Sequence, residues 1–250
     1  MWKMGRRLVA VLVSFAATAA AAQPAAIRAT IWDLELGVRA RQLTPSTEFM
    51  NLACGSNGGP PMAPLSDWTQ FGLCEPEADG LHEVYFQYDD AAERQARSRG
   101  AWVDPASVGT AEAFFPIMAS ALFDSNGTLT GLRLVTDPRP RPEARAGEIV
   151  LRPRGEHYLL GLYLADRFGI TPVDCAAIPP SPGETPVIGQ FVKRDCERTD
   201  EVAHLHYSIS ERFLRKPGQR DADPFSGQPT EGQFESVTRA EVRLLPQRSE

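Results

Sequence analysis

The chain of 250 residues carries 26 basic and 32 acidic side chains, a formal net charge of −6 and 42% apolar residues. That is enough apolar sequence for one large domain or two small ones. The acidic balance argues against nucleic acid, anionic lipid surfaces and other polyanions as partners, because those need clustered Lys and Arg.

In chain order, the first feature is a secretory leader. Lys3, Arg6 and Arg7 precede an apolar run from Leu8 to Ala17, and Ala20-Ala21-Ala22 supplies the small residues of a cleavage site before Gln23. The run is about half the roughly 20 residues that span a bilayer, so cleavage is expected rather than anchoring. Loss of residues 1–22 removes three positive charges and takes the formal net charge from −6 to −9. The style of the leader, with 23 arginines among the 26 basic residues, points to a bacterial periplasm.

Ile27 to Leu36 mixes β-branched and polar residues and reads as a short strand. Cys54 and Cys74 follow, flanking Gly55-Ser-Asn-Gly-Gly59 and Pro60-Pro61. This glycine-rich run lacks the Lys and the helix of a phosphate-binding loop and reads as an irregular loop closed by a disulfide. Trp68 and Phe71 lie inside that loop, where exposed aromatics would be anchors for a protein partner.

Leu81 to Tyr88 is rich in β-formers and reads as a strand; Ala91 to Arg99, ending at Gly100, reads as a helix. Glu112 to Phe123 and Thr128 to Val135, joined by Asp124-Ser-Asn-Gly127, form the clearest hairpin in the chain. Alternate prolines in 137–143 forbid a regular helix or central strand, so 137–146 is read as a linker.

Beyond it, His157 to Phe168 reads as a helix with Leu159, Leu160, Tyr163 and Leu164 facing the core and Gly169 as its stop. Cys175 and Cys196 follow, and Val202 to Leu214 with Phe234 to Leu245 reads as a long antiparallel pair joined by an exposed Pro- and Gly-rich loop. Four cysteines in an exported chain point to two disulfides. The pairing Cys54–Cys74 and Cys175–Cys196 closes two loops of about twenty residues, each stabilising by roughly 3 kcal/mol in the chain-entropy account.

Both halves carry Cys-Glu-x6-His-x2-Tyr, at Cys74 to Tyr85 and again 122 residues later at Cys196 to Tyr207. This suggests a diverged tandem duplication. The expected fold is therefore α+β: two similar disulfide-stapled halves, 23–136 and 147–250, each a small antiparallel sheet with one or two packed helices.

Chemistry-bearing candidates are few. His204 and His206, two apart on an expected strand, would share a face, and His82 in the matching place of the first half would be a third metal ligand. The sequence favours neither a metal site nor any other cofactor, and no nucleophile signature such as G-x-S-x-G or H-E-x-x-H is present. The expectation is an exported, non-enzymatic periplasmic protein that binds an envelope partner through the loops 55–73 and 176–195. The alternative is a metal-assisted hydrolase built on the three histidines.

Overall fold

In the computed structural model, residues 31–43, 49–88, 111–112, 115–137, 148–187, 189–219 and 234–246 are described. Among the described residues, nine strands run in chain order: β1 Phe49–Cys54, β2 His82–Tyr88, β3 Ala111–Glu112, β4 Phe115–Phe123, β5 Leu129–Thr136, β6 Cys175–Ala177, β7 Val192–Asp200, β8 Leu205–Leu214 and β9 Glu235–Leu244. One α-helix, α1, spans Glu148–Phe168 among the described residues.

The strands form a single antiparallel sheet in the order β1-β2-β4-β5-β9-β8-β7-β6, with the two-residue β3 pairing on β4. This corrects the expected two-sheet α+β arrangement. The chain makes one meander, β1-β2-β4-β5, from an outer edge to the middle. It then returns through α1 to the far edge and makes a second, β6-β7-β8-β9, also ending in the middle. Five consecutive partners, from Gly131↔Arg243 to Val135↔Arg239, fuse the two meanders into one sheet.

Side chains alternate across the pleat. Val84, Phe86, Ala119, Ala121, Phe123, Leu132, Leu134, Ile209, Ala240 and Val242 line one face and form the core. α1 packs on this face over β8 and β9 through Leu160, Leu164 and Phe168, all 3% exposed or less. Their four-residue spacing sets the inward stripe. Leu159, expected in the core, sits about a quarter-turn away and is 50% exposed, and Tyr163 is half-buried. The helix also begins well before the expected His157, and Gly169 ends it with φ +63°.

The first meander covers its core face differently. Asp67 caps the 3-10 helix Trp68–Leu73 by accepting from the Thr69 N–H at 2.7 Å, which turns Trp68 inward. Its ring lies 5.5 Å from Phe86 and about 6.1 Å from both Phe49 and Phe123.

The β4–β5 hairpin turns as its sequence dictates: the Asp124 carboxylate accepts from the N–H groups of Asn126 and Thr128, and Gly127 takes φ +76°. Ile31–Asp33 is a 3-10 turn instead of the expected strand. The expected helix 91–99 and linker residues 138–146 lie outside the described residues.

Candidate functional site

Both disulfides join the expected cysteines, Cys54 to Cys74 and Cys175 to Cys196. They sit at opposite ends of the sheet. The first ties the end of β1 to the turn before β2. The second links directly opposed residues of β6 and β7.

The expected partner anchors face inward. Trp68 is 1% exposed. Phe71 stacks on Phe123 at 5.4 Å and meets the His82 ring edge-on. Aromatic area is better spent closing the end of an open sheet than standing in water, and here Asp67 orients the segment to do so.

The three histidines are not brought together. His82 is on the core-side pleat of β2 and lies 2.7 Å through Nδ1 from the Cys74 carbonyl oxygen. His206 is on the opposite face of β8, with Nε2 4.0 Å from Glu197. Three strands lie between β2 and β8, roughly 19 Å at about 4.8 Å per strand.

His204 is off the strand altogether, in a turn with φ +53°. Asp200 makes that turn by accepting from the Val202 and Ala203 N–H groups, so the expected shared strand face of His204 and His206 is not formed. No group of three metal-ligating side chains occurs among the described residues. His157 lies on α1, with its side chain outside the described residues.

The densest polar constellation among the described residues is on the sheet face away from α1, at positions the sequence did not single out. Arg133 on β5 is 1% exposed. Directly opposite on β9 is Glu241, which accepts from Arg133 Nε at 2.7 Å. On the other flank, β4 presents the small buried Ser120, and the guanidinium reaches over it. It donates to both Glu77 oxygens at 2.5 and 2.9 Å and pairs with Glu83 at 3.2 Å.

Arg239 and Arg243, on the same face of β9, each bind Glu241, and Arg243 also reaches Asp79 at 2.6 Å. The glycine-rich loop closes over this cluster. Asn57 and Gly58 take positive φ, and their consecutive N–H groups cradle the Glu83 carboxylate. A Cβ at Gly58 would collide with Val135.

Burial alone would lower the Arg133 pKa, but the Glu77 hydrogen bond and the charges of Glu241 and Glu83 outweigh it and raise it. Burial would likewise raise the Glu241 pKa, yet Arg133, then Arg239 and Arg243, hold it below the usual glutamate range. A carboxylate kept ionised and saturated with donors is a poor proton donor at neutral pH. The cluster braces the sheet. The signal for it was a lone Arg between the core-facing Leu132 and Leu134 of TLTGLRLV, and Arg-x-Glu-x-Arg on β9.

The surface offers a different feature. On α1, Tyr158, Leu159 and Leu162 are 52%, 50% and 43% exposed. Spacings of three and four residues place them as neighbours on one outward face. No helix among the described residues is long and apolar enough to cross a membrane. Compared with known protein families, curated proteins and solved structures, the chain matches none.

Proposed function

We propose that this chain is an exported, non-enzymatic interaction protein of the periplasm that docks another envelope protein against the outward face of α1. Export is supported by the cationic, apolar and small-residue parts of residues 1–22. Two disulfides and no free cysteine among the described residues fit an oxidising compartment.

The observation that carries docking is the patch Tyr158, Leu159 and Leu162. Exposed apolar side chains that adjoin one another in a patch, unlike ones scattered singly, mark contact surfaces. Within the expected loops, 55–59 is pinned to the sheet and Trp68 is buried, whereas the three α1 side chains stand together in the open.

Native mass spectrometry of the mature protein from its own compartment tests this, with wild type beside Leu159→Lys/Leu162→Glu. Both positions are exposed, so the variant should keep its stability within about 1 kcal/mol. A second polypeptide bound to wild type and missing from the folded variant is the expected result. A partner retained by both forms, or bound by neither, would sink the proposal. A mass of two copies would assign the face to self-association and overturn the heterologous partner.

A further inference from the structure

The two edges of the sheet are finished differently. The outer side of β1 is capped by its own chain, with the N–H groups of Cys54, Met62 and Leu65 bonded across to Ala63, Cys54 and Leu52. At the other edge, β7 is nine residues long and β6 covers only Arg194 to Cys196. β6 adds one further backbone bond, from the Ile178 N–H to Lys193 at 2.7 Å.

The segment carrying β6 buries little. Val173 is 91% exposed, and Ala176, Ala177, Pro179 and Pro180 are all exposed. On either side the chain is anchored independently. Ile170 is 7% exposed, and beyond β6 Val187 is fully buried. Glu184 holds Lys193 at 2.8 Å, and Thr185 exchanges backbone bonds with Arg215. Beyond the short β6–β7 ladder and the Ile178 bond, residues 172–178 are tethered by the Cys175–Cys196 bond.

The two disulfides also differ in access. Cys54, Cys74 and Cys196 are 3% exposed each, while Cys175 is half-buried on the outermost strand. Thiol–disulfide exchange needs a thiolate to reach a sulfur, so exposed edge disulfides open first.

We propose that Cys175–Cys196 is a reducible clasp on the sheet edge, opened by a dithiol reductant while Cys54–Cys74 stays closed. One thiolate of the reductant attacks Cys175 Sγ; the S–S bond breaks, a mixed disulfide forms, and Cys196 leaves as a thiolate that takes up a proton. The reductant's second thiol then attacks its own sulfur of the mixed disulfide. Cys175 departs and is protonated, and the reductant ends as a disulfide, two electrons poorer. Residues 172–178 then lift from β7 and bare an unpaired strand edge, a surface to which an extended segment can add.

Graded dithiothreitol treatment of the native protein, with alkylation, peptide mapping and hydrogen exchange, tests this. Cys175 and Cys196 should be alkylated at least about tenfold faster than Cys54 and Cys74. Faster exchange should be confined to residues 172–178 and the facing part of β7. The folded Cys175→Ser/Cys196→Ser variant should show the same exchange pattern with no reductant. Equal or reversed rates of alkylation, loss of protection across the whole sheet, or a variant whose β6 stays fully protected would each overturn the clasp.

Discussion

Arg133 is a charge taken almost completely out of water, and its environment answers that cost with three carboxylates. Such a site is tolerant of neither partial loss nor replacement by an apolar side chain alone. Arg133→Leu removes the cation and leaves Glu83, 3% exposed, with only the Asn57 and Gly58 N–H groups, and Glu241, 8% exposed, with only Arg239 and Arg243. Breaking a buried pair from one side costs about 3–5 kcal/mol. Arg243, whose side chain is 30% exposed, shares Glu241 and Asp79 with water, so Arg243→Ala should cost no more than about 1 kcal/mol. Urea denaturation of the two variants checks the contrast. Equal losses would mean that the network is no more demanding at its centre than at its rim.

At the scale of elements, the way α1 meets the sheet rests on Gly161. A Cβ there would collide with the Glu211 carboxylate, which lies under the helix and pairs with Arg194. Alanine is the better helix former by about 1 kcal/mol, yet overpacking a close contact costs about 1–3 kcal/mol. The clash is with the end of a side chain, but Glu211 is 5% exposed and held by Arg194, so Gly161→Ala should destabilise despite its propensity. Gly161→Ala/Glu211→Ala should lose less than the two single losses added together, and strict additivity in a thermal-melt cycle would disprove the contact.

Elements shaped by their own turns were legible in the sequence. The 124–127 hairpin, β2, and the β8·β9 pair follow from local alternation and turn chemistry. β7 was missed because its sequence, VKRDCERTD, shows no apolar alternation; it is held by charge pairs such as Arg212–Asp195 and by its disulfide. The repeated Cys-Glu-x6-His-x2-Tyr misled for a related reason. Cys74 precedes β2 and Cys196 is within β7; His82 is on β2 while His204 is in a turn. Matching letters here occupy unmatched places.

For the molecule as a whole, joining two meanders into one sheet depended on β5 finding β9, residues more than a hundred positions apart. No local pattern states such a pairing. The Arg133–Glu241 pair lies on that seam, so the union of the halves should depend on proton concentration. Glu241 titrates below the usual glutamate range in the folded protein, and Asp79, against burial, is lowered by Arg243. Between their folded and unfolded values, the unfolded chain binds more protons, so stability rises with pH there. The contribution is complete above the usual carboxylate values and is lost as pH falls through the depressed ones. Arg133 is shifted upward, away from any working pH, so its own titration adds no slope. Urea midpoints from pH 7 down to about pH 3 should fall for wild type. Glu241→Gln should start lower at pH 7 and fall less, because its side chain cannot take up the proton. The two curves should close on one another in acid; curves that stay parallel would show that Glu241 does not carry the acid sensitivity of the seam.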